Sequence, residues 1–221
     1  MERTLAAPKT YKSIFRTLLR AYGPQHWWPG ESPFEIIVGA LLNQNTAWTN
    51  VVKALDNLKA EGLLDLDSLR HMEEGRLAGL IRPADYFNVK AKRLQNLCRF
   101  IAERGGVEAL DDYPTDRLRQ DLLSVNGVGP ETADDILLYA YHRPVFVIDA
   151  YTRRLFSRLG LVKGDENYEC LHAGFQEVLG QEVEIFNGYH VLIVHHAKYY
   201  CNSKPKCETC CLRKSCKNTG I

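Results

Sequence analysis

The stretch VNGVGPETADDILL, residues 125–138, decides the fold. Gly127 and Gly129 flank a single valine, and Pro130 stands where a helix would begin. The residues just before, TDRLRQDLLS at 115–124, carry a helical pattern of their own. The expectation is a helix-hairpin-helix motif over 115–142. Glycines allow positive φ and put no side chain in the way of a close approach. Proline suits the first helical position, where its missing N–H would have no partner anyway. Backbone N–H groups at the hairpin and at the second helix start can then face a phosphate. That grip positions a nucleic-acid backbone without reading its sequence. A plain turn between packed helices would use the same residues. Glu131 adds a question, since an acid follows the proline although the partner would be a polyanion. Its local justification is that an acid in a first turn favours the helix dipole by roughly 0.3–1 kcal/mol.

Outward from the hairpin, helical signals recur. TYKSIFRTLLRAYG spaces Ile14, Leu18 and Leu19 on one face and stops at a glycine. SPFEIIVGALL opens with Ser32, Pro33 and Glu35, a capping box with proline first. AWTNVVKALDNLKAEG and NVKAKRLQNLCRFIAERGG repeat the pattern. After the hairpin come DAYTRRLFSRLG, NYECLHAGFQEVLG and EIFNGYHVLIVHHAKYY, which makes at least nine helices with short loops. RPVFVI, at 143–148, is apolar and β-branched, but one short run makes no sheet. The predicted class is all-α.

The 221 residues suit one large domain or two small ones. No apolar run approaches the ~18 residues of a membrane span, and MERTLAAPKTYKS has no signal-like apolar core. A cytoplasmic, nucleoid-associated monomer is expected. The net charge of +1 hides an asymmetry: residues 198–217 carry +5 and the rest −4. A basic tail on a mildly acidic body suggests a local anionic partner.

Five of seven cysteines fall in CNSKPKCETCCLRKSC. Cys201, Cys207, Cys210 and Cys216 give the spacing C-x5-C-x2-C-x5-C. A disulfide framework does not suit a cytosolic chain. Four thiolates so close can ligate one zinc or one [4Fe–4S] cluster. Cys211 is left over and could replace Cys210.

VNGVGPETADDILL, VFVIDAYTRR and the four-cysteine tail together resemble the endonuclease III-like helix-hairpin-helix DNA glycosylases. The resemblance extends from about residue 27 to 217. It implies a two-lobed fold: a six-helix barrel over 30–142, and a second helical lobe from 1–29 and 143–221 with an iron–sulfur loop at 201–216. It also implies a [4Fe–4S] cluster, although the family's usual first gap is one residue longer than the gap here. Within the family, WWPGESPFEIIVGALLNQNTAWTNVVKALDNL and IRPADYFNVKAKRL look like the branch that removes alkylated purines, the 3-methyladenine or methylpurine glycosylases. Members with lyase activity carry a lysine where this chain has Glu131; the alkylpurine branch resembles this chain in having glutamate.

The resemblance assigns candidate roles. Asp149, in VFVIDAY, matches the family's required aspartate. A buried carboxylate there would stabilise the positive charge that builds on the sugar as an N-glycosidic bond breaks. A helix N-cap is the local alternative, and both roles can coexist. Trp27, Trp28 and Trp48 match aromatic positions lining the base site, where an alkylated, cationic purine would stack on indole. Packing is their alternative. Gln44 and Asn45 match where the family inserts a polar side chain into the gap left by the flipped base. Gly127, Gly129 and Glu131 belong to the DNA-binding hairpin, and Lys204 and Lys206 sit in the loop that approaches the backbone. His190, His195 and His196 fit no ligand pattern and are expected to serve packing or polar contacts. The expected activity is base-excision removal of alkylated purines from damaged double-stranded DNA, leaving the abasic strand intact. A bifunctional glycosylase/lyase, a thymine or uracil mismatch glycosylase, and a non-catalytic DNA-binding module are the rivals.

Overall fold

A computed structural model describes residues 8–25 and 30–217. Among the described residues eleven α-helices run in order: α1 (Pro8–Tyr22), α2 (Pro33–Leu42), α3 (Trp48–Ala60), α4 (Leu66–His71), α5 (Glu74–Leu80), α6 (Phe87–Glu103), α7 (Thr115–Leu123), α8 (Pro130–Asp135), α9 (Ala150–Arg158), α10 (Tyr168–Leu179) and α11 (Val183–Tyr199). Short 3-10 turns join them, and no β-strand occurs among the described residues. No described helix is long and apolar enough to cross a membrane. The chain divides into two compact units, one from Trp28–Arg143 and one from Met1–Trp27 with Pro144–Ile221.

The Trp28–Arg143 unit is built on α2. Phe34, Ile36, Ile37, Val38, Leu41 and Leu42 are all buried, so this helix is apolar on every side and must be surrounded. Helices α3, α6 and α8 pack against it, as does the turn that follows α8. The capping box holds in modified form. Ser32 Oγ accepts the Glu35 amide at 3.2 Å. The Glu35 carboxylate reaches past Ser32 to accept the amide of Glu31 at 3.1 Å and pairs with Lys59 at 2.8 Å. Helix α8 widens into a π-turn at Ile136–Ala140, where five consecutive side chains are buried.

The other unit centres on aromatic side chains. Tyr11 stacks on Phe156 with centroids 5.2 Å apart, and Phe146 stacks on Phe175 at 4.8 Å. Tyr189 Oη donates to the Tyr11 carbonyl at 2.9 Å, so its one polar atom is satisfied inside the core. Residues 145–148 are buried and belong to no helix or strand. Their amides use α10 side chains instead: Phe146 donates to Gln176 Oε1 at 3.2 Å and Ile148 to Tyr168 Oη at 3.3 Å.

Candidate active site

The predicted hairpin is present. Val128 N–H donates to the Val125 carbonyl at 3.0 Å, closing the turn, and Ala133 N–H donates to the Gly129 carbonyl at 2.9 Å, opening α8. The two glycines serve different ends. Gly127 has φ 105°, and a Cβ there would overlap the Arg93 side chain. Gly129, by contrast, has φ −95°, which any residue adopts, and nothing lies within 4 Å of where its Cβ would be. Positive φ, expected of both, is therefore needed only at Gly127; Gly129 leaves open space at the helix start. No side chain caps α8. Glu131 is its second residue and is exposed.

Gln44 joins the hairpin directly. Its Nε2 donates to the Gly127 carbonyl at 3.0 Å and to Thr132 Oγ1 at 2.9 Å, while Arg93 donates to its Oε1 at 2.7 Å. The next residue, Asn45, is exposed with φ 52°, so the loop turns at an asparagine, one of the few residues that tolerate that backbone. Thr46 Oγ1 donates to Asp85 Oδ2 at 2.6 Å and anchors the far side of the loop. Trp48 opens α3 half-buried, with its ring lying over Gly39 of α2. Trp27 and Trp28 lie outside the described residues. Beneath the hairpin, Arg119 clasps the fully buried Asp134 with two bonds of 2.6 and 3.1 Å, tying α7 to α8.

Asp149 is buried at the start of α9. One carboxylate oxygen, Oδ1, accepts the Thr152 amide at 2.6 Å and caps the helix. The other, Oδ2, lies 3.5 Å from His190 Nε2. Burial pushes the carboxyl up, but bonding and charge from His190 and the Thr152 amide outweigh it, and the group sits below the usual carboxylate value. A carboxylate kept ionised with little solvent near it can stabilise a developing cation strongly.

The tail after α11 winds through two 3-10 turns, Cys207–Thr209 and Arg213–Ser215. Cys201, Cys207, Cys210 and Cys216 line one cavity with Arg158, Tyr200, Pro205 and Arg213. Cys211 is not among them; its thiol donates to Tyr22 Oη at 3.5 Å. No three His, Cys, Asp or Glu side chains among the described residues converge as ligands of one metal ion would. Arg158 donates to the Cys201 carbonyl and sulfur at 3.0 and 3.3 Å, and Arg154 to the same carbonyl at 2.9 Å. His196 is pushed down to about 4 by burial and by His195; its ring lies between Tyr22 Oη, 2.7 Å away, and Cys210 Sγ, 3.6 Å away. Lys204 and Lys206 are exposed on this loop.

The HhH-GPD family model, a superfamily of base excision DNA repair proteins, matches residues 38–181. The chain belongs to the HhH-GPD superfamily. The matched stretch includes the hairpin and Asp149. This HhH-GPD protein is 48% identical, over 92% of its length and 94% of the relative's, to a protein of Methanocaldococcus jannaschii provisionally described as a DNA repair glycosylase. Its fold is similar to that of the 3-methyladenine DNA glycosylase of H. pylori bound to 1,N6-ethenoadenine, with a TM-score of 0.70 and 31% identity over 86% of this chain and 95% of that one. A non-covalent endonuclease III–DNA complex matches at a TM-score of 0.83 over 97% of each chain, at 20% identity, a likeness of fold.

Sequence reasoning missed the partners of these residues. Arg93 and Thr132 hold Gln44, Arg119 holds Asp134, and His190 faces Asp149. One signal was readable: His190 falls in the stripe Phe186, Tyr189, Ile193 and Ala197, all buried on α11, and a polar side chain on an apolar face needs a polar partner. The arginines carried no such cue.

Proposed function

We propose that the chain is a monofunctional DNA glycosylase that excises alkylated purines from duplex DNA. The observation that carries the chemistry is Asp149, a buried carboxylate held ionised with one oxygen beyond its cap. In the reaction the bond between the base nitrogen and C1′ of the sugar breaks, and its electron pair leaves with the base. Positive charge builds on the sugar, where the carboxylate stabilises it. Water then bonds to C1′ and gives up a proton, which the carboxylate can accept. An alkylated purine starts out cationic and leaves neutral, so no covalent intermediate is required. Glu131 fits that economy. A lyase needs an amine that attacks the sugar, and a carboxylate at this position forms no Schiff base. Similarity to the H. pylori 3-methyladenine glycosylase, at 31% identity, supports the choice of alkylated purines. The half-buried Trp48 offers a π-face for a flipped cationic base, and Gln44, Asn45, Gly127 and Gly129 form the surface that would meet the strand. The lobes would follow the boundaries read from the sequence, and the enzyme would act as a monomer in the cytoplasm, at the nucleoid.

Cys201, Cys207, Cys210 and Cys216 would hold a [4Fe–4S] cluster. Four thiols line one cavity, a donor set that a [4Fe–4S] cluster or a zinc ion can take, and the family resemblance favours the cluster. The cluster would pin the loop, and the loop's exposed Lys204 and Lys206 would meet phosphates.

The test is base release over a panel of duplexes carrying methylated purines, uracil or thymine mismatches, or no lesion, with borohydride present in a parallel arm. Release of methylated purines, an uncut abasic strand and no trapped protein–DNA adduct are expected. Release confined to mismatched pyrimidines would overturn the substrate assignment. A trapped adduct would overturn the monofunctional reading and direct attention to Lys163 and Lys198.

A further inference from the structure

His190 and Asp149 come from elements far apart in sequence and meet inside one unit. Asp149 starts α9 and His190 lies midway along α11, the helix packed against α9. Both side chains are about nine-tenths buried, with relative exposures of 10% for the carboxylate and 9% for the ring. The carboxylate has two jobs to divide between two oxygens. Oδ1 is committed to the Thr152 amide; Oδ2, the oxygen beyond the cap, faces the imidazole Nε2 at 3.5 Å. Arg153 donates to the carbonyls of Gly164 and Glu166 at 3.3 and 2.7 Å, and the Tyr168 hydroxyl accepts the Ile148 amide.

A cap alone needs no histidine. Asn, Ser and Asp cap about equally well, and a single oxygen suffices. An imidazole on the otherwise apolar face of a helix costs free energy unless it has a polar partner, and the carboxylate that the proposed chemistry uses lies 3.5 Å from it. We infer that His190 is a positioning residue that fixes the rotamer of Asp149 and holds its second oxygen oriented for base release. The inference rests on the proposed role of Asp149. The 3.5 Å separation is longer than a charge-assisted hydrogen bond; contacts of this kind tighten when substrate closes the site. The depressed carboxyl of Asp149 agrees with this arrangement, since burial pushes it up and the contact with His190 helps to bring it down.

The experiment compares wild type, His190→Leu, His190→Gln and Asp149→Asn. Three readouts are taken on each intact protein: single-turnover release of purines from methylated duplex DNA, affinity for an abasic-site duplex, and the titration of the Asp149 carboxyl followed by carbon NMR. In His190→Leu, release should fall roughly tenfold or more, the loss of one bond to a charged group. Abasic-duplex affinity should stay within about twofold, and the carboxyl should titrate at higher pH than in wild type. His190→Gln can place an N–H near the same point and should recover most of the rate and the low titration. Leu and Gln variants equally impaired, or a titration unmoved in His190→Leu, would overturn the inference and leave His190 a packing residue. Full release by Asp149→Asn would instead overturn the role of Asp149 itself. If wild type released nothing from methylated DNA, the substrate assignment would fail, while the titration would still decide whether His190 governs the carboxylate.

Discussion

Helices α8 and α9 begin on nearly the same backbone and do opposite things with it. Gly129, before α8, has φ −95° and ψ 175°; Asp149, before α9, has φ −93° and ψ 178°. The chain makes the same entry into a helix twice. At α9 a carboxylate fills the entry from inside, bonding the Thr152 amide. At α8 no side chain fills it, and a Cβ at Gly129 would meet nothing. The difference is therefore not conformational. The glycine is not needed for the bend, and the aspartate is not needed for it either. Under the proposed function, each residue would answer to what comes near: an external backbone at the bare start, a sugar with developing charge at the filled one.

That contrast can be broken in several places. The largest effect should come from beneath the hairpin. Arg119→Ala leaves Asp134 buried without its two guanidinium bonds, a kind of loss that costs about 3–5 kcal/mol. Chemical denaturation should show it, and an unchanged midpoint would mean that α8 is held some other way. Next comes Gly127. Its positive φ and the Arg93 side chain against it predict a loss of at least about 1–2 kcal/mol for Gly127→Ala from backbone strain alone. Arg93 would also be displaced from Gln44. Gly129→Ala should leave stability within about 0.5 kcal/mol; comparable losses in the two alanine variants would show that the glycines do one job. The smallest effect on stability, and the sharpest on the comparison, should come from Gly129→Asp, which makes the start of α8 resemble that of α9. The fold should gain a few tenths of a kcal/mol from the cap, while affinity for duplex DNA falls because a carboxylate now meets the phosphates. Undiminished DNA affinity would mean that the bare start of α8 is not where the strand lies.

Local features made the frame legible in the sequence. The glycine pair with Pro130, the Ser32–Pro33–Glu35 start and the long periodic runs marked the principal helices. The two that were not foreseen, α4 and α5, are six and seven residues long, too short for a 3.6-residue period to repeat convincingly. RPVFVI has the composition of a strand because burial on both sides selects the same residues with or without a sheet partner; as one short run it makes no sheet, and the amides of Phe146 and Ile148 meet Gln176 and Tyr168 instead. The family resemblance singled out Asp149 as a candidate, and its cap followed from its place before a helix. What was not legible was tertiary. Gln44 looked like a side chain for the DNA gap, and the structure shows its amide bonded to Gly127, Thr132 and Arg93. His190 lies forty-one residues beyond Asp149, and no local pattern links an imidazole on one helix to a carboxylate on another.

The most direct test of the account is single-turnover base release from methylated duplex DNA by Asp149→Asn beside wild type. Asparagine caps a helix about as well as aspartate, so the fold and the start of α9 should survive, and thermal melting should confirm it. With the charge gone, release should fall by roughly 10²-fold or more, a few kcal/mol of lost transition-state stabilisation. A variant that melts like wild type and releases methylated purines at the wild-type rate would contradict the account, and would leave Asp149 a helix cap and nothing more.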